Sequence, residues 1–136
     1  MTPSEDQTRR ALVGQWLHKA QLDLEAAEEL LSSKRNLHYP ACFHCQQAAE
    51  KCLKGYLTWF QIEFPKTHSI RELLNLARAI NGDLVERVKE ASSLTTYGVE
   101  VRYPGDLPEP TRQEAETALA LARSVRDEIL RALPLG

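Results

Sequence analysis

The sequence has no apolar run approaching the ~20 residues that a membrane-crossing helix needs, so no span is expected. Charge of one sign does not dominate either: 17 Lys and Arg stand against 19 Asp and Glu, a formal net charge of −2. Capture of a nucleic acid by an overall basic field is thereby excluded, and any such contact has to come from a local patch. Glycine is sparse and scattered, with six residues in 136, so no loop that cradles a phosphate is visible. There is no Gly-x-Ser-x-Gly, no His-Glu-x-x-His and no Glu-x-x-His. These absences remove the nucleophile elbow, the zinc protease and the di-metal carboxylate bundle. Cysteine occurs only as Cys42, Cys45 and Cys52. An odd number crowded into one helical stretch is not a disulfide framework and reads as small buried apolar residues in a reducing compartment. The opening residues, Met1 to Arg10, are polar and unlike a secretory signal, so a cytoplasmic location is expected.

Helical periodicity is what the chain has in abundance. Thr2-Pro3-Ser4-Glu5 starts a first helix, with Thr2 and Glu5 at capping-box spacing and Pro3 at the first turn. Val13, Leu17, Ala20, Leu24, Ala27 and Leu31 then recur in steps of three and four, one face of an α-helix. Pro40 opens a second helix, whose stripe of Ala41, Cys45, Ala48, Cys52 and Phe60 is widened by Phe43, Leu53 and Leu57. Apolar on more than one face, it is expected to be central. Ser69 and Glu72 cap a third helix that Asn81-Gly82 stops. Asp83 starts a fourth, carried by Leu84, Val88, Ala91 and Leu94 to about Tyr97. A loop from Gly98 to Pro110 follows, and Thr111 with Glu114 caps a last helix through Leu133. No strand pattern and no repeat is present. The expectation is one all-α domain over residues 1–136, an up-and-down antiparallel four-helix bundle with an additional short helix.

Metal chemistry finds too few ligands. Cys42-Phe43-His44-Cys45 lies near His38, but zinc wants four ligands and a second pair at matching spacing is absent. No metal and no cofactor is expected. Two polar regions remain. In the second helix, Gln47, Lys51 and Lys54 share one edge at helical spacing, and Gln46 and Glu50 form a neighbouring i,i+4 pair. Either they form a solvated edge, or they form a polar seam inside the bundle where a ligand or second chain binds. In the loop, Arg102 stands between Tyr97 and Tyr103. Its guanidinium fork suits a phosphate, and the rings suit stacking; equally, the arginine can tie the loop to a helix end. His68, just before the third helix, reads more readily as a loop anchor than as a catalyst, because no acid or nucleophile is paired with it by spacing.

The blocks Trp16-Leu17-x-Lys19-Ala20-x-x-Asp23-Leu24-x-x-Ala27, Phe43-His44-Cys45-Gln46-Gln47-Ala48-Ala49-Glu50-Lys51-x-Leu53-Lys54, Thr67-His68-x-x-x-x-Leu73-Leu74 and Tyr97-x-x-x-x-Arg102-Tyr103-Pro104 resemble, in order, those of HEPN domains. The resemblance covers nearly the whole chain. It implies a helical bundle, usually a homodimer. It also implies a prokaryotic protein often paired with a nucleotidyltransferase-fold partner as a toxin–antitoxin system, and a nucleotide or RNA as ligand. Many HEPN proteins are metal-independent ribonucleases with an Arg-x(4–6)-His motif. Here the histidine after Arg102 would fall at Leu107, Pro108 or Glu109, so that motif is incomplete. No catalytic residue is therefore assigned. Lys51, Lys54, Tyr97, Arg102 and Tyr103 are the expected nucleotide- or RNA-binding residues. Gln47, Glu50, Asp23 and His68 are expected in the seam or at an interface. The alternatives are a ribonuclease whose catalytic histidine comes from elsewhere, such as His44 or His68, and a non-catalytic assembly module.

Overall fold

The computed structural model describes residues 2–98, 103–105 and 108–134, all helix, turn or loop. The first helix, α1, runs Pro3–Ser32. Thr2 caps it in a full capping box with Glu5. Val13, Ala20, Leu24, Ala27 and Leu31 are its buried stripe, as the spacing predicts.

The second helix, α2, runs His38–Trp59, starting two residues before Pro40. Proline is tolerated there because the first-turn amides of a helix have no partner inside it. The central position expected of α2 is met. Ala41, Cys42, Cys45, Ala48, Ala49, Cys52, Leu53, Tyr56 and Leu57 are buried round the helix, which packs on α1, on the third helix and on the last. Phe60 is the exception on the expected stripe: it is partly exposed and tilts against Tyr56 at 5.0 Å. The helix closes with the Ile62 amide donating to the Leu57 carbonyl while Gln61 sits at φ 58°, a left-handed stop usually filled by glycine.

The third helix, α3, is Ile70–Arg78 and the fourth, α4, Gly82–Val88. Ser69 caps α3 through the Glu72 amide, but the Glu72 carboxylate is taken by the Thr67 hydroxyl. Asn81 caps α4 through the Leu84 amide, so Gly82 is the first residue of a helix and not the stop of the previous one. The expected single helix from Asp83 to Tyr97 is corrected: after Val88 the chain tightens into a 3-10 helix, Lys89–Gly98. From Val88, the last residue of α4, the apolar residues Ala91, Leu94 and Tyr97 follow every three positions, the 3-10 period. Thr95 in this segment accepts the Ile70 amide and ties it to the start of α3. The last helix, α5, runs Arg112–Ala132 under a full Thr111–Glu114 capping box and packs along α2 and α1. The three long helices α1, α2 and α5, with the α3–α4–3-10 segment as the fourth layer, make the bundle. Among the described residues no helix is long and apolar enough to cross a membrane.

Candidate functional site

The polar edge of α2 is an interior network, not a solvated strip. Gln46, Glu50, Lys54 and, on α1, Asp23 are the four buried polar or charged side chains among the described residues. Two carboxylates organise them. Asp23 accepts from His44 Nδ1 at 2.8 Å through one oxygen and from Lys51 Nζ at 2.6 Å through the other. Glu50 accepts from His68 Nδ1 at 2.9 Å and Gln46 Nε2 at 3.0 Å through one oxygen, and from Lys54 Nζ at 2.9 Å through the other. The arrangement is the same twice: a carboxylate holding an imidazole on one side and an ammonium on the other. Helical spacing puts the two groups on adjacent strips of α2, with Gln47 between them.

Burial alone pushes the Glu50 carboxyl up. Hydrogen bonds from Lys54, Gln46 and His68, together with the Lys54 charge, outweigh it and hold the group below its ordinary range. Lys54 is enclosed further by aromatic faces, 5.8 Å from the Trp16 centroid and 5.9 Å from that of Phe64, at cation–π distance. Gln46, fully buried, is the hub: it donates to the His68 carbonyl at 2.9 Å as well as to Glu50, and accepts from Gln47 at 2.7 Å.

The end of the 3-10 helix lies directly on that hub. A β-carbon on Gly98 would fall 2.8 Å from Gln46 Cδ and 2.9 Å from its Nε2. Gly98 thus lies on the surface of the network, four residues before Arg102 in sequence. Arg102 itself, expected as the phosphate ligand, lies outside the described residues. So do Val99 to Val101. Beyond them, Pro104 and Gly105 form a turn with Gly105 at φ 90°, and Tyr103 is 71% exposed.

The sequence expectations are thus brought together only in part. Asp23, Gln47, Glu50, Lys51, Lys54 and His68 share one network. Lys51 stays reachable at its edge, with 21% of its side chain exposed, while Lys54 is enclosed. His68 anchors its loop through both its ring and its carbonyl. Tyr97 faces elsewhere: its ring packs on the core and its hydroxyl bonds Cys42. The sequence alone offers His44 only as a metal ligand or a stand-in base, yet it is built into the network. The signal that could have found it is helical: His44, Gln47, Lys51 and Lys54 step by three and four along α2. The cysteine thiols stay protonated, since burial pushes Cys42 up to about 11 and Cys45 and Cys52 to about 12. Among the described residues, no group of three His, Cys, Asp or Glu is placed to hold a metal ion.

Chemically, each buried carboxylate fixes an imidazole by Nδ1, the arrangement that orients a histidine for proton transfer or anion contact through Nε2. The side chain of His44 is 38% exposed and that of His68 52% exposed, and Lys51, which shares Asp23 with His44, is 21% exposed. A family model described as the HEPN domain matches residues 13–132. Two solved structures are similar. TT1696 from Thermus thermophilus is 32% identical with a TM-score of 0.69, over 89% of this chain and 98% of that one. ST0689, titled an archaeal HEPN homologue, is 27% identical with a TM-score of 0.67, over 88% of this chain and 95% of that one. Among proteins with curated descriptions, none matches.

Proposed function

Because this chain belongs to the HEPN domain family, we propose that its polar seam binds the phosphate of a nucleotide or of single-stranded RNA. One observation supports the reading: buried Asp23 fixes the His44 imidazole beside the Lys51 ammonium, buried Glu50 fixes the His68 imidazole, and Gly98, four residues before Arg102 in sequence, lies on the Gln46 hub of the same network. A rigid rim of donors, with Arg102 close to Gly98 in sequence, suits a dianionic group. Lys51 and Arg102 supply charge, and Tyr103, exposed just before the Pro104–Gly105 turn, offers a ring for stacking. Lys54 acts on the ligand indirectly, by holding Glu50 in its charged form. On this reading the protein is a single-domain homodimer of a prokaryotic cytoplasm, with a nucleotidyltransferase-fold protein as its two-component partner. Its two-fold interface buries well over ~1,000 Å². Calorimetry with ATP, GTP and a short RNA tests the site. Binding that weakens tenfold or more in Arg102→Ala supports it; unchanged binding rejects the assignment.

A second reading has its own observation. His44 gives Nδ1 to Asp23, and its Nε2 takes part in no hydrogen bond among the described residues. That is the posture of a general base, and RNA cleavage by the 2′-hydroxyl needs one near neutral pH. On this reading His44, with His68 as its counterpart, replaces the missing loop histidine. Incubation with RNA in chelator separates the two readings. Cleavage lost in His44→Gln supports the ribonuclease; intact RNA at high protein excess leaves binding alone.

A further inference from the structure

The turn of Tyr97 away from the lysines opens a second place for a ligand. Its ring lines a groove of about 380 Å³ between the 3-10 helix and the first turns of α5, within the size range of small-molecule pockets. The floor is apolar: Leu94, Ala118, Leu121 and the Tyr97 ring. The rim is polar, with Ser93 from one wall and Gln113 and Thr117 from the other. An apolar floor under converging hydrogen-bonding groups from two elements is the composition of a binding site. The side chains of Gln113 and Thr117 take no part in hydrogen bonds among the described residues, so both are available to an occupant.

Charge narrows the occupant. No lysine, arginine or histidine lines the groove among the described residues, and the one ionic group, Glu114, is a carboxylate fixed on the Thr111 amide at 3.0 Å. Among the described residues, an anion would meet that carboxylate with no lining cation to offset it. We propose that the groove binds an uncharged planar heterocycle with an amide-type edge, its face on Tyr97 and its edge paired with the Gln113 amide. A primary amide matches such an edge with one donor and one acceptor. Offset stacking on a tyrosine ring favours a flat partner over an aliphatic one. The site is distinct from the phosphate seam and shares only the 3-10 helix with it, which gives Ser93, Leu94 and Tyr97 to the groove and Gly98 to the seam.

Matched fragments that differ in charge test this: nicotinamide against nicotinate, and uracil against orotate. Each is titrated into the full-length protein and followed through backbone amide shifts of Ser93, Gln113 and Thr117. The neutral member of each pair should give saturable shifts at millimolar concentration, the affinity suited to fragments of about nine heavy atoms. The anions should bind at least tenfold more weakly. Thr117→Trp fills the groove from an exposed position and should abolish the shifts while the melting temperature stays unchanged. Gln113→Ala should weaken the neutral fragments several-fold. No saturable shift with either neutral fragment, anions that bind as well as their neutral partners, or binding that survives Thr117→Trp would each overturn the proposal. None of these outcomes depends on whether the seam binds phosphate.

Discussion

Replacing Gly98 with alanine puts two opposed effects on one residue. The positive-φ glycine among the described residues is Gly105, so the Gly98 backbone suits alanine. In the absence of a clash the exchange would stabilise the fold by about 0.4–1 kcal/mol, by restricting the unfolded chain. The clash is with Gln46, whose Cδ, Nε2 and Oε1 would lie 2.8, 2.9 and 3.1 Å from the new methyl. Gln46 is fully buried and held by Glu50, the His68 carbonyl and Gln47. It cannot withdraw without breaking one of those bonds, and an orphaned buried polar group costs about 1–3 kcal/mol. The clash wins, and Gly98→Ala should destabilise by about 1–2 kcal/mol net. That is a fall of about 4–8 °C in melting temperature for a chain of this length. Circular-dichroism melts and urea titrations of four proteins decide it: wild type, Gly98→Ala, Gln46→Ala and the double variant. In the Gln46→Ala background the methyl has room, so the same exchange should become neutral or mildly stabilising. An equal cost in both backgrounds, or a rise in melting temperature for Gly98→Ala alone, would refute the reasoning.

Three further outcomes follow from the geometry. Glu50 has its carboxyl pKa lowered in the fold, so its contribution is present above the unfolded-state pKa and is lost as pH falls through the folded value. Glu50→Gln, which leaves Lys54 buried without its carboxylate, should cost about 3–5 kcal/mol at neutral pH. The gap to wild type should close as pH falls from the ordinary glutamate range through the lower folded value, and a gap of constant size would contradict the assignment. With burial pushing Cys42 to about 11 and Cys45 and Cys52 to about 12, the folded protein should resist iodoacetamide at pH 8, whereas the urea-unfolded chain takes up three equivalents; rapid labelling of the folded form, seen by mass spectrometry, would count against this packing. Gln61→Gly relieves a left-handed residue at φ 58° and should raise stability by about 0.5–1 kcal/mol. A lower urea midpoint for that variant would show that the Gln61 side chain contributes more than its backbone costs.

The parts of the fold legible in sequence are those set by local chemistry. The Thr2–Glu5 and Thr111–Glu114 boxes close as their spacing predicts, and the all-round apolar character of α2 places it at the centre. The 3-10 segment escapes a sequence reading because Leu84 and Val88 step by four before the period shortens to three, and a helix pattern absorbs both. The seam is legible as a cluster but not in its wiring. Lys51 and Lys54 share an edge of α2, yet one reaches across to Asp23 on α1 and the other back to Glu50. Which carboxylate each takes depends on the packing of α1 against α2, which sequence spacing does not carry. For the same reason Asp23, distant in sequence, is reached only through family resemblance. Tyr97 pairs with Cys42 and the groove because the 3-10 turn rotates it relative to the α-helix expected there.

The central claim, that the seam receives a phosphate, is tested most directly by imidazole NMR. ATP and a short single-stranded RNA are titrated into wild type and into Arg102→Ala, with the ring protons of His44 and His68 as reporters. The account predicts saturable shifts at both rings in wild type, at concentrations that rise tenfold or more in Arg102→Ala and rise with added salt. Binding that leaves both imidazoles unmoved, or no binding at all, would contradict it.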